Sequence, residues 1–146
     1  MVNKLKVIFP LIAIILVIAF SGCTTQKPVK ELTPEEVVTQ YWTDIGQGNY
    51  GNAYDLSYHA SQNTSKNIWI DERMAKWGEN GSYIKIYSFN VVGSEPVDSS
   101  QFEGNFTEAR IVNTNATIAY LGRNTTGQLR MVVVNTTDGW KVFGNY

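Results

Sequence analysis

The chain has 146 residues, 43% of them apolar and 17% charged, and its 12 basic and 13 acidic residues leave a net charge of −1. That length suits one ordinary domain with a core of its own. The charge balance excludes the basic stripe that a nucleic-acid partner needs, and the single cysteine, Cys23, excludes an internal disulfide and any cysteine-based zinc or redox site.

The first element is a targeting segment. Lys4 and Lys6 precede an uninterrupted apolar run, Val7 to Phe20, which ends in the small Ser21 and Gly22 before Cys23. A charged start, a short apolar stretch and small residues before a cut form the layout of a secretory signal peptide. The run is shorter than the ~20 apolar residues of a spanning helix. Phe20-Ser21-Gly22-Cys23 resembles a lipoprotein signal, with Phe20 where Leu is usual. The resemblance implies that residues 1–22 are removed and that Cys23 carries lipid. The protein would then sit on the extracytoplasmic face of the cell membrane. An uncleaved anchor is the alternative and has the same topology, because Lys4 and Lys6 stay on the cytoplasmic side.

Residues 23–32 are polar, contain Pro28 and read as a tether. Thr33-Pro34-Glu35-Glu36 then opens a helix: Thr33 and Glu36 have the spacing of a capping box, and Pro34 occupies the first helical position. Val37, Tyr41 and Ile45 recur every four residues, Val38 and Trp42 widen the stripe, and Gly46-Gln47-Gly48-Asn49 stops it. A short helix is expected over about Tyr50 to Tyr58, then a polar break at Ser61 to Ser65. A third helix over about Lys66 to Trp77 has Ile70, Met74 and Trp77 on one face, and Glu79-Asn80-Gly81-Ser82 turns the chain.

From Tyr83 the period becomes two. A strand is expected to about Val92, and Gly93 to Gly104 reads as a polar loop. Four more strands follow, at about Phe106 to Val112, Ala116 to Leu121, Leu129 to Val134 and Trp140 to Phe143. Their hairpins are predicted at Asn113-Thr114-Asn115, Gly122 to Gln128 and Asn135 to Gly139, with Asp138-Gly139 the strongest turn signal. Six Asn-x-Ser/Thr sequons begin at Asn63, Asn80, Asn105, Asn115, Asn124 and Asn135. All six fall in predicted breaks or hairpins, where a glycan acceptor belongs, although Asn and Thr are also ordinary turn residues. Sequons together with a lipoprotein signal point to an archaeal cell surface.

Helices followed by a curved antiparallel sheet make an α+β pattern. Three stretches carry a closer likeness: Thr33-Pro34-Glu35-Glu36-Val37-Val38 with Tyr41-Trp42; Gly48-Asn49-Tyr50 with Ala53-Tyr54-Asp55-Leu56; and Asp138-Gly139-Trp140-Lys141-Val142. In order and spacing they resemble the nuclear-transport-factor-two-like domain of small exported lipoproteins, over residues 33–146. The resemblance implies a cone-like fold whose sheet curls around the long helix, and a pocket used as an active site, a ligand site or simply a core. It also makes a homodimer through the sheet an expected partner arrangement.

Enzymes of that family, isomerases and dehydratase-like lyases, place carboxylate, Tyr or His groups in the cone, where an apolar setting raises a carboxylate's pKa. Asp44 lies off the apolar stripe and reads as solvated. Asp55 resembles the family's exposed acidic site, and His59, the only histidine, reads as a surface or loop residue. Asp138 belongs to its turn, and Glu103 and Glu108 to polar segments. No acids converge, so no catalytic residue, metal ligand or cofactor is assigned. The aromatic set comprises Tyr41, Trp42, Tyr50, Tyr54, Trp77, Tyr83, Tyr87, Tyr120 and Trp140 and is expected mostly on inner faces. Of these, Tyr41, Trp42, Tyr54, Trp77 and Tyr120 are the expected lining of any pocket. The expected function is a non-enzymatic module binding a small ligand or an envelope protein, with a small pocket enzyme as the alternative.

Overall fold

The computed structural model describes residues 31–62 and 65–146, so the signal segment, Cys23 and Asn63 lie outside the described residues. The first helix, α1 (Pro34–Gln47), begins as its sequence dictates. Thr33 Oγ1 accepts from the Glu36 amide at 3.2 Å, and the Glu36 carboxylate accepts from the Thr33 amide at 2.9 Å. This reciprocal box satisfies two otherwise orphaned donors. Gly48 ends the helix at φ +72, and a Cβ there would overlap the Asn80 backbone. Glycine thus allows both the left-handed cap and the close approach of the 3-10 turn Glu79–Gly81.

Val37, Val38, Trp42 and Ile45 of α1 are buried. Asp44, expected in solvent, is only 3% exposed and accepts from Gln40 Nε2 at 3.1 Å. The buried face of α1 is wider than its apolar stripe because the helix is covered by the sheet and also by α2 (Tyr50–Asp55). The expected helix to Tyr58 breaks here, and α3 (Tyr58–Ser61) starts afresh. Ser57 forms a parallel bridge with Val142, whose amide donates to Leu56 O at 2.8 Å. A long-range strand contact therefore takes the backbone groups that a continuous helix would use. The next helix, α4 (Lys66–Trp77), has its expected bounds but a different inner face. Trp69 is its buried residue, Ile70 and Trp77 are half-buried, and Met74 is 36% exposed.

The sheet has four antiparallel strands in the order 1-2-3-4: β1 (Ile84–Val97), β2 (Ala109–Tyr120), β3 (Arg123–Thr136) and β4 (Gly139–Asn145). The predicted fifth strand does not exist. Asn113-Thr114-Asn115 is the middle of β2, paired on both sides. Thr114 Oγ1 donates to Leu129 O at 3.0 Å, and Asn113 Oδ1 accepts from Arg130 Nε at 3.2 Å. These polar side chains are satisfied across the sheet rather than in a turn. Likewise the hairpin expected over Gly122 to Gln128 contracts to Leu121-Gly122, and the last one to Thr137-Asp138. Strand β1 runs through the expected loop from Gly93 to Val97. Because β1 is an edge strand, Pro96 can lie in it without removing a ladder bond from a central position. Irregularities at Tyr87 and Val92 leave both residues exposed and bend the edge.

Both faces of the sheet carry apolar clusters. Val112, Met131, Val133 and Val142 face the helices with Val37, Trp42, Ile45 and Trp69. Ala109, Ile111, Val132 and Val134 lie under Tyr58, Phe102, Phe106 and Phe143. This explains why Met131–Val134 is buried without alternation. It also explains why Phe106, expected to start a strand, instead lies before β2 and covers the outer face.

Candidate functional site

Trp42 is the centre of the candidate site. It projects from α1 at the level where α4 and the sheet separate, and three cavities meet its side chain. Its ring lies edge-on to Trp77 at 6.3 Å and to Tyr41 at 6.0 Å, and tilted on Phe89 at 6.2 Å. The end of α4 is tied to β2, since Tyr120 Oη donates to Lys76 O at 3.0 Å and its ring meets Trp77 at 5.6 Å. Tyr83 N donates to Trp77 O, and Leu121 N to Tyr83 O, both at 2.9 Å. These bonds hold the wall in place without filling the space beside it.

Two of the cavities adjoin, sharing Trp42, Lys76, Trp77 and Asn145. The first, about 320 Å³, is walled by Tyr41, His59, Arg73 and Lys76 on the helical side and by Met131 and Val142 of the sheet. The second, about 440 Å³, is walled by Ala116, Ile118, Tyr120 and Leu129. Each volume is in the range of small-molecule sites. The third, about 330 Å³, lies on the other side of α1 against Ile84 to Ile86.

Charge in the first cavity is cationic. Arg73 stacks its guanidinium 4.5 Å over Trp69, and the Lys76 ammonium lies 4.6 Å over Trp77. Burial lowers the pKa of His59, the Arg73 charge lowers it further, and Glu72 opposes both. Burial also raises the Tyr41 phenol, with Arg73 acting against the shift. At neutral pH His59 is therefore a neutral imidazole and Tyr41 a neutral hydroxyl beside fixed positive charge.

The residues singled out by sequence separate accordingly. Tyr41, Trp42, Trp77 and Tyr120 stand in the cavity walls. Tyr54 does not: it is buried, with its ring edge-on to Trp69 at 5.6 Å. Tyr83 and Tyr87, expected inside, are exposed, because Tyr83 precedes β1 and Tyr87 sits at its first irregularity. His59, expected at the surface, is half-buried in the first cavity because the break at Ser57 turns α3 towards β4. Asp55 is exposed and accepts two hydrogen bonds from Lys66 Nζ, at 2.7 and 2.8 Å. Asp44 and Asp55 line neither cavity. Among the described residues no group of three or more His, Cys, Asp or Glu could hold a metal ion.

Arg73, Lys76 and Asn145 had no signal in the sequence. Arg73 is one turn from Trp69, so only the true inner face of α4 brings it to the site.

Of the described sequon asparagines, Asn80 and Asn105 lie in the expected breaks, in the turn Glu79–Gly81 and before β2, but the three expected at hairpins do not lie there. Asn115 is in mid-β2, while Asn124 and Asn135 are paired within β3. Asn80, Asn105, Asn115 and Asn124 are nevertheless exposed, and Asn135 is half-buried. Among the described residues no helix is long and apolar enough to cross a membrane. No protein-family model matches the chain, and no curated protein matches it.

Proposed function

We propose that this chain is a nuclear-transport-factor-two-like domain held at the outer face of the cell membrane by lipid on Cys23, and that it binds a small ligand without transforming it. The observation that carries the reading is the pair of adjoining cavities around Trp42 and Trp77, one with largely aromatic and aliphatic walls and the other with aromatic and cationic ones. Such walls supply apolar contact area, and the few polar groups among them supply orientation. The cone-like enclosure of the sheet around α1 is part of the same proposal, supported by α1 contacting all four strands. Exposed Asn80, Asn105, Asn115 and Asn124 suit glycan attachment on that side of the membrane.

The second reading, a small pocket isomerase or lyase, is favoured by one residue, His59, whose lowered pKa suits a general base. The acids that would complete such a site, Asp44 and Asp55, are engaged elsewhere by Gln40 and Lys66. Binding alone therefore accounts for more of the site.

Two measurements test the proposal. Mass spectrometry of the N-terminal peptide from native membranes is expected to show loss of residues 1–22 and a lipid on Cys23; an intact Met1 overturns the anchor. Titration of residues 23–146 with Nile red, an uncharged dye that brightens in apolar sites, is expected to give saturable binding at about one dye per chain. Absence of saturable binding overturns the pocket.

A further inference from the structure

Resting on the binding reading above, we infer that the ligand is a small amphipathic anion: a carboxylate on an aliphatic or aromatic body. The two adjoining cavities differ in chemistry. One presents Arg73, Lys76 and His59. The other is walled by Ala116, Ile118, Tyr120 and Leu129. Lys76 and Trp77 belong to both, so a molecule of modest length spans from charge to hydrocarbon without leaving the cleft.

The cations are available for an anion. Arg73 meets Glu72 only at 3.8 Å, beyond hydrogen-bond length, the Glu72 carboxylate is largely in solvent, and the Tyr41 hydroxyl beside Arg73 is uncharged. Both cations rest on indole faces, which orders them in advance and lowers the entropy lost when they bind. No carboxylate lines either cavity among the described residues. A cationic ligand would face Arg73 and Lys76 with only the largely solvated Glu72 carboxylate to offset them. An inorganic anion would leave the apolar cavity unused.

The test is competition against bound Nile red by three probes of one chain length: octanoate, octyltrimethylammonium and octanol. Octanoate is expected to displace the dye at a concentration at least about tenfold lower than the cation, about 1.4 kcal/mol of preference. Lys76→Gln and Arg73→Gln are each expected to weaken octanoate several-fold and leave octanol unchanged. Lys76 is exposed, so its variant folds even if Arg73→Gln proves unstable. Gly127→Trp blocks the apolar end: a Cβ at Gly127 meets nothing within 4 Å, and alternation puts it on the same face as Thr125 and Leu129. This variant is expected to lose both dye and octanoate. Equal displacement by octanoate and by the cation overturns the anion class while leaving the pocket intact. Undiminished dye binding in Gly127→Trp overturns the pocket reading itself.

Discussion

Leu121 is held in a left-handed conformation at φ +48, followed by Gly122 at φ +78, in the two-residue turn between paired Tyr120 and Arg123. Two positive φ values in succession match the sign pattern of a type I′ hairpin, which prefers Asn-Gly. A branched side chain in that region costs about 1–2 kcal/mol, and Leu121 recovers little by packing, since it is 61% exposed. Leu121→Asn is therefore expected to stabilise the domain by about 1 kcal/mol. Urea unfolding would show a higher midpoint at unchanged slope; a lower midpoint would mean that the leucine makes contacts worth more than the strain. The sequence hid this turn because its first residue is the wrong type for it, and the polar Gly122 to Gln128 stretch looked like the better loop.

Within α4 the sequence and the fold choose different faces. Ile70, Met74 and Trp77 have regular helical spacing, but Trp69 is the residue sealed between α2 and the core, with Tyr54 against its ring. The helix is turned so that the largest side chain is covered, and Arg73 then extends over that ring towards the cleft. Trp69→Ala is expected to cost about 3–5 kcal/mol, a large share of the stability of a domain this size. Met74→Ala is expected to cost no more than about 1 kcal/mol, since its side chain faces solvent. Thermal unfolding of the two variants compares them directly, and equal losses would restore the face read from spacing.

For the molecule as a whole, His59 and Glu35 both make stability fall on acidification. The His59 pKa is lowered, chiefly by burial, from an ordinary 6.5, so the unfolded chain binds the proton more readily. Its contribution is complete above about 6.5 and is lost progressively as pH falls towards the lower folded value. Glu35 is lowered from an ordinary 4.5, chiefly by the hydrogen bond from Ser94 Oγ, while burial opposes the shift and Arg110 assists it. Its contribution is complete above about 4.5 and is lost below it. Stability is thus expected to fall in two stages on acidification. His59→Gln should flatten the stage that begins below about pH 6.5, and Ser94→Ala the more acid one. Unfolding curves measured across pH 3–8 check both; a loss of stability on raising pH from 5 to 7 would contradict the sign for His59. Glu35, Ser94 and Arg110 also join the start of α1 to β1 and β2, with Arg110 Nε donating to Ser94 Oγ at 3.0 Å, so the acid stage loosens the seat of α1 on the sheet.

By itself the sequence determined what depends on near neighbours. The box at Thr33 and Glu36, Pro34 at the helix start, a stop within Gly46 to Asn49, the stripe Val37, Val38, Trp42 and Ile45 with Tyr41 half-buried beside it, and the α+β order all follow from chemistry within a few residues. Tertiary structure decided whatever depends on partners far along the chain. Asn113-Thr114-Asn115 has turn chemistry, yet Leu129 and Arg130 satisfy it in mid-strand. Leu56 and Ser57 lie in a helical stretch, yet β4 takes their backbone. Asp44 is polar, yet the packing of α1 between α2 and the sheet buries it. The cleft depends on the same distant contacts: residues from Tyr41 to Asn145 meet only after α4 has turned Trp69 inward and β4 has drawn α3 against the sheet. Its aromatic walls were legible as a composition, whereas its polar end was not: His59 reads as a surface or loop residue, and Arg73 and Lys76 carry no signal until packing sets all three around one space.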